Sequence, residues 1–182
     1  MPARSRQPDP PRPTGERVVD ADLTGVRPGL ELVDVEIDRS NLANLQARGS
    51  RLTRVAVRAS RLTGAALTEG RLGDVLFSGC SADLAAFSFS GLERVTFEDC
   101  VLTNASFLEA RMYAVRFARC RLDFADFRGA RMTQCELRGC SLDGIEGVDG
   151  LRGTSMEWPD VVAAAGTFAA ALGISVLDED SR

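Results

Sequence analysis

Apolar residues recur at every fifth position along most of this chain. The series is unbroken from Leu32 to Leu142, and a second series, two residues earlier in each group of five, consists mostly of Ala, Ser, Cys, Val and Gly. A helix turns by about 100° per residue and a strand alternates its faces, so neither keeps positions five apart on one side. The pattern instead predicts a chain that turns a corner every five residues, which is a solenoid of stacked coils.

Residues of the same kind recur at an interval of twenty within both series. The clearest examples are Cys80, Cys100, Cys120 and Cys140 at the small positions, and Phe77, Phe97, Phe117 and Phe87, Phe107, Phe127 at the large ones. Four groups of five therefore complete one coil, and equivalent side chains of successive coils are expected to stack as ladders. We predict that Phe97 lies buried between Phe77 and Phe117.

Single groups of five also match a known repeat. Ala125–Gly129 reads Ala-Asp-Phe-Arg-Gly and Ala105–Glu109 reads Ala-Ser-Phe-Leu-Glu, close to the consensus A(D/N)LXX. Over roughly residues 30–145 the chain resembles the pentapeptide-repeat family. The resemblance implies an all-β solenoid, a right-handed quadrilateral β-helix, here of about six coils. Most members of this family have no known activity, so the resemblance says more about fold than about function.

The chain divides into three parts. Residues 1–17 are rich in Pro and Arg, so we expect a disordered tail. Residues 18–153 are expected to form the β-helix, with Val18–Leu23 covering its first coil. Residues 154–182 are expected to hold an α-helix, a short strand at Ile174–Leu177 and an acidic tail.

The predicted C-terminal helix would close the open end of the solenoid. Thr154 and Glu157 fit a capping box before a helix that runs from Pro159 to the stop signal at Gly173. The side chains offered as a cap or a dimer contact are Trp158, Val162, Phe168 and Leu172. In a cap, Trp158 and Phe168 would seal the core. The alternative is a homodimer through the C-terminal end, which the resemblance implies because family members that act on DNA gyrase associate there.

Composition removes most catalytic chemistry. The chain contains no His, so nucleophiles activated by histidine are unavailable. No glycine motif for phosphate binding is present, and all five cysteines occupy the small inward positions, where a thiol serves as a buried apolar group. We therefore expect no enzyme activity, cofactor, metal or small-molecule substrate. No apolar run reaches the length of a membrane span or a signal peptide, so we expect a cytoplasmic protein.

Charge is banded along the solenoid. Residues 39–68 contain six Arg and no acid, residues 72–109 contain six acids and one Arg, and residues 111–138 contain seven Arg and three acids. Counting by twenty places Arg51, Arg71, Arg111 and Arg131 on one face. Such bands are typical of a solubilising surface. Nucleic-acid binding through them is the third functional hypothesis, and it is disfavoured because interleaved aromatic residues are missing.

Several outward positions are apolar where polar residues are expected. They are Leu76, Leu84, Phe89, Val101, Leu108 and Phe124. A contiguous apolar patch on a soluble protein indicates a binding partner. The first functional hypothesis is therefore a rigid, non-catalytic protein–protein interaction module, and its expected partner surface comprises Leu84, Phe89, Val101, Leu108 and Phe124.

The family resemblance implies an alternative. Some bacterial pentapeptide-repeat proteins mimic DNA and bind DNA gyrase or topoisomerase IV, which they inhibit or protect from fluoroquinolones and other poisons. The present chain resembles them in its uninterrupted coils and C-terminal helix. It departs from them because its solenoid is electrically neutral and its last coils are rich in Arg.

Overall fold

The computed structural model describes residues 13–177, and these form a four-sided parallel β-helix followed by two short helices. The strands are β1 Arg17–Val19, β2 Glu31–Val33, β3 Glu36–Asp38, β4 Arg51–Arg58, β5 Arg71–Ser78, β6 Gly91–Glu98, β7 Arg111–Tyr113, β8 Arg116–Ala118, β9 Arg131–Thr133, β10 Cys135–Arg138 and β11 Thr154–Met156. A 3-10 helix spans Val148–Leu151, and α1 Trp158–Ala163 and α2 Ala165–Ala171 come last. The predicted β-solenoid is confirmed.

Each coil contains twenty residues and has four sides. Face I contains residues 31–34, face II residues 36–39, face III residues 41–44 and face IV residues 46–49, each continued by the residues twenty further along the chain. Faces I and II carry the strands, in parallel register such as Leu52↔Leu72 and Val57↔Phe77. On faces III and IV the coils are joined by isolated parallel bridges. The twenty-residue period read from the sequence is therefore the period of the fold.

Left-handed backbone conformations produce the corners. The last residue of each side has a positive φ, as in Asp34 (56°), Asn44 (54°) and Asp99 (52°), and Gly129 (65°) holds the equivalent position. This conformation suits Gly, Asn and Asp best. The chain therefore changes direction after every fifth residue, which neither a helix nor a strand allows.

Two columns of phenylalanine fill the centre of the rod. Phe97 is fully buried and stacks on Phe77 and Phe117, with ring centroids 4.9 and 5.0 Å away. The second column stacks in the same way, with Phe107 5.3 Å from Phe87. Edge-to-face contacts such as Phe87 to Phe97, at 5.4 Å, connect the two columns. The predicted position of Phe97 is confirmed.

The cysteines are free and buried. The Cys80 thiol donates to the carbonyl oxygen of Val57 at 3.4 Å, and Cys120 donates to that of Phe97 at 3.4 Å. The Ser90 hydroxyl makes the same bond to Leu67 at 2.7 Å, which explains why Ser and Cys interchange at these positions. Burial raises the pKa of Cys135, and hydrogen bonding to Cys100 together with burial raises the pKa of Cys80.

The first coil begins earlier than predicted. Strand β1 pairs with β3 in parallel, with Arg17 opposite Glu36, and Asp22 bridges to Asn41. The segment expected to cover the first coil is therefore itself a coil. Most of the predicted disordered tail, residues 1–12, lies outside the described residues, as do residues 178–182 of the acidic tail.

The C-terminal end differs from the prediction in three ways. Thr154 lies in β11, which adds a strand beside β10, and its hydroxyl donates to the Leu151 carbonyl at 2.8 Å, so the capping box is wrong. The helix is interrupted at Ala164, which separates α1 from α2. Residues Ile174–Leu177 are exposed and form no strand.

Only part of the helical segment covers the core. Ala164 is buried and Phe168 packs against the core cluster, while the Thr167 hydroxyl donates to the Leu142 carbonyl at 3.2 Å. Trp158 is 76% exposed and Leu172 is 77% exposed. The expectation that Trp158 seals the core is therefore wrong, because it occupies the first turn of α1 on the solvent side.

Candidate partner-binding surfaces

Three of the predicted surface residues stand at corners of the coil. Leu84 and Phe124 end two sides of face III, and Phe89 ends a side of face IV, with φ values of 58°, 59° and 60°. Their side chains are 60%, 59% and 52% exposed. Backbone bonds fix all three; for example, the Phe124 N–H donates to the Asp143 carbonyl at 2.8 Å. The rod therefore holds these side chains outward in a defined place.

A left-handed corner is an unfavourable place for any residue that has a Cβ atom. The conformation brings Cβ close to the following carbonyl oxygen, at roughly 1–2 kcal/mol per residue. Within residues 13–177, the other positive-φ corners carry polar or charged residues, Gly, or the two alanines Ala59 and Ala114. Leu84, Phe89 and Phe124 share the left-handed conformation of the other corners but differ from them in exposing a large apolar side chain, a feature that often marks a binding surface.

The corner residues do not merge into one patch. Asn104 lies between Leu84 and Phe124 in their column, about 4.8 Å from each along the rod. The Phe124 ring lies over Gly144, on the side away from Asn104. A Cβ on Gly144 would be 2.6 Å from two of the ring carbons. Phe89 has a closer apolar neighbour, since its N–H donates to the carbonyl of half-buried Leu108 at 2.8 Å.

Two other apolar residues are less available. Val101 is half-buried on face III and stands in register between Ser81 and Arg121. Leu76, which the pattern placed outward, is only 2% exposed in β5, in register with the buried Ala56. Among the predicted residues, the exposed apolar side chains are therefore the three corners, while Val26, Val33 and Tyr113 are exposed elsewhere on the coils.

Carboxylates and arginines of successive coils pair with one another. Arg94 donates to both oxygens of Asp74 at 2.6 and 2.8 Å, and Arg54 binds Asp34 at 2.6 and 2.6 Å. These hydrogen bonds lower the pKa of Asp74 and of Asp34. The charge bands of the sequence are therefore partly neutralised between neighbouring coils.

Face I retains arginines without such partners. Arg51, Arg71, Arg111 and Arg131 share one column, as predicted. Arg51 pairs with Glu31 at 3.2 Å. Within residues 13–177, no carboxylate lies within ion-pair distance of Arg71, Arg111 or Arg131.

The described residues contain no cluster of three or more His, Cys, Asp or Glu side chains that could hold a metal ion. Neither α1 nor α2, nor any other helix between residues 13 and 177, has the length and apolar character needed to cross a bilayer. Among the described residues, the features that suit recognition include the apolar corners and the arginine column.

Comparisons with known proteins concern the coils. The family model for the pentapeptide repeat region matches residues 71–146. No curated protein is similar enough to match the chain.

Solved structures with similar folds include three repeat proteins. A trypsin-treated variant of QnrB1, a plasmid-mediated fluoroquinolone resistance protein, is 15% identical and has a TM-score of 0.45, with 90% of this chain and 99% of that chain covered. Rfr23, a pentapeptide repeat protein from the cyanobacterium Cyanothece 51142, is 17% identical, with a TM-score of 0.33 and coverage of 78% and 91%. HetL, a pentapeptide repeat protein involved in heterocyst differentiation regulation from Nostoc sp. strain PCC 7120, is 15% identical, with a TM-score of 0.24 and coverage of 77% and 86%.

Proposed function

Residues 71–146 belong to the pentapeptide-repeat family, and from this premise we propose that the protein is a non-catalytic interaction module. In this proposal it binds a partner protein through the apolar corners Leu84, Phe89 and Phe124. The half-buried Leu108, beside Phe89, and Val101 lie at the border of this contact surface. The single observation that carries the proposal is the presence of large exposed apolar side chains at left-handed corners. Folding alone would favour Gly or Asn there.

A rigid rod supports this role. The N–H of each apolar corner is bonded to the next coil, as the Leu84 N–H is to the Thr103 carbonyl at 3.0 Å. Side chains that are already fixed lose less conformational entropy when a partner binds, so fewer contacts are needed for a given affinity.

Site-specific crosslinking tests the proposal. A photoreactive amino acid at Phe89 or Phe124, in cells that contain the full-length protein, should yield a crosslinked product of one defined mass. The same amino acid at Ala59, which is exposed and occupies a left-handed corner on face II, is the matched control and should not. Equal products from all three positions, or no product from the first two, would contradict the proposal.

The corner residues also allow a test by substitution. Asn tolerates the left-handed conformation, so the triple variant Leu84→Asn, Phe89→Asn, Phe124→Asn should be at least as stable as the wild type. It should nevertheless fail to form the crosslink when the photoreactive group is placed at Leu108. A triple variant that crosslinks at the wild-type level would mean that the corners do not bind the partner.

The gyrase alternative receives less support from the charges. A protein that mimics DNA needs a continuous band of negative potential, whereas here Asp34, Asp74 and Asp99 each accept hydrogen bonds from an arginine of the next coil. A supercoiling assay with DNA gyrase, with and without a fluoroquinolone, separates the two functions. Inhibition or protection at stoichiometric protein would favour the alternative.

We also propose that the C-terminal end forms a contact between two copies of the chain. The proposal is supported by Trp158, Val162 and Leu172, which are exposed within fifteen residues of one another. Phe168 is partly buried and packs against the core cluster, so it contributes to the cap.

A further inference from the structure

Face I contains an open groove of about 500 Å³ at the middle of the rod. Its lining includes Arg71, Gly73, Gly91, Arg111 and Tyr113. Gly73 lies in β5 and Gly91 in β6, so the groove owes its depth to two side chains that are missing from the centre of the sheet.

Neither glycine is required by the backbone. Both lack the positive φ that the corner glycines have. The register is continuous through both positions, with Arg71, Gly91 and Arg111 directly opposite one another on successive strands, so there is no bulge. A Cβ at Gly73 or Gly91 would meet nothing within 4 Å. Gly73 lies in the interior of β5, where glycine weakens a strand, and Gly91 is the first residue of β6. A glycine in a strand that makes no bulge is found where another molecule approaches the backbone closely.

Arg71 and Arg111 make the groove electropositive around Gly91. Gly91 separates Arg71 from Arg111, and Arg131 follows on the next coil. Like charges opposite each other on neighbouring strands are destabilising. Elsewhere on the same face the rod alternates the signs, as in the pair of Arg94 with Asp74. At Gly91 the carboxylate that would complete such an alternation is missing.

We propose that the notch over Gly91, the part of the groove between Arg71 and Arg111, binds a carboxylate from an acidic segment of a partner protein. Arg71 and Arg111 lie one coil on either side, about 4.8 Å along the rod, so both guanidinium groups can converge on one carboxylate. Two charge-assisted, bidentate hydrogen bonds would result. The Tyr113 ring, 45% exposed, lies next to the notch and offers an apolar surface to the rest of the segment.

A peptide carboxylate fits the groove better than a nucleic-acid strand does. Any run of negative groups along face I would pass Glu93, which also lines the groove, and Glu31, so the groove suits one carboxylate at Gly91 better than a continuous run of phosphates. Tyr113 is the one aromatic side chain in the lining, whereas single-strand binders use several. The rod already binds carboxylates through bidentate arginines, as Arg119 binds Asp99 at 2.7 and 2.9 Å.

Fluorescence anisotropy of the full chain with fluorescein-labelled hexaglutamate amide tests this inference, with hexaglutamine amide as the uncharged control. The wild type should bind hexaglutamate, more weakly as salt is added, and should not bind hexaglutamine. Gly91→Asp places an internal carboxylate between the arginines and should weaken binding about tenfold or more. Ser81→Asp, at the equivalent position of face III, is matched in charge and should have little effect.

A second pair of variants guards against a general charge effect. Arg111→Gln should weaken binding as Gly91→Asp does, while Arg61→Gln, an exposed arginine on face III, should not. Equal losses in either matched pair, or no binding of hexaglutamate by the wild type, would overturn the inference. So would tighter binding of a labelled single-stranded oligothymidylate that Gly91→Asp also abolishes, because the site would then be one for nucleic acid. The triple corner variant should bind hexaglutamate normally, so this inference and the proposed function fail separately.

Discussion

The aromatic ladder offers the sharpest test of how this rod is stabilised. Phe97 has no exposed surface and contacts four other rings, with centroid distances from 4.9 to 6.0 Å. Phe97→Ala removes all four contacts at once. The coils on both sides are held by strand pairing through β5, β6 and β8, so the surrounding structure cannot collapse into the space.

The expected loss in the free energy of unfolding is therefore at the upper end of the usual range, about 4–5 kcal/mol. Urea denaturation followed by far-UV circular dichroism measures it, provided that the denaturant slope is unchanged. Phe124→Ala is the matched control, because the same exchange at a side chain that is 59% exposed should change stability by less than about 0.5 kcal/mol. A loss below about 1 kcal/mol for Phe97→Ala would refute the argument that the ladder carries the stability.

Three further predictions follow from the thiols, the ion pairs and the C-terminal end. The five cysteines are buried, so a thiol reagent should react slowly with the native protein and with five groups after unfolding; rapid native labelling would contradict this. The hydrogen bond from Arg94 lowers the pKa of Asp74 in the fold, so the stabilising effect of the Asp74 carboxylate is complete above about pH 4 and is lost as the pH falls further. Asp74→Asn should therefore make acid unfolding less steep. An unchanged acid profile would show that the Asp74–Arg94 pair does not stabilise the fold. Truncation after Gly153 removes the buried Ala164 and should lower the melting temperature. Light scattering should give twice the 19.6 kDa chain mass for the full-length protein and the mass of one chain for Trp158→Asp. A full-length protein that is a monomer would exclude the dimer.

The sequence was sufficient to predict the interior of the coils. Inward positions repeat with the coil, so the spacing of Phe77, Phe97 and Phe117 already contains the stacking that the structure shows. The outer surface was harder to predict, because exposure depends on neighbours from three coils. The pattern predicts that Leu76 faces solvent, but it is buried in register with the buried Ala56 of face II.

The ends of the rod and the groove were beyond sequence reasoning for a different reason. Thr154 has the residue type of a helix cap, but it lies beside the edge of β10 and pairs with that strand as part of β11. Gly91 had no signal of its own in the sequence. Its meaning depends on the unpaired arginines twenty residues before and after it, which the register brings to either side.

The twenty-residue register also means that the length of this rod can change only in fixed steps if its faces are to stay aligned. Removing or duplicating one whole coil, such as residues 81–100, would change the length of the rod by about 4.8 Å and leave every remaining face aligned. Removing a single group of five would keep an apolar residue at every inward position but rotate all later residues by a quarter turn. The Phe77–Phe97–Phe117 ladder would be interrupted if the deletion fell within it, and a deletion between Arg71 and Arg111 would place these two residues on different faces. Distance and direction along the rod can therefore be varied independently, which gives evolution and protein engineers separate control over how far apart two contacts lie and which way they point.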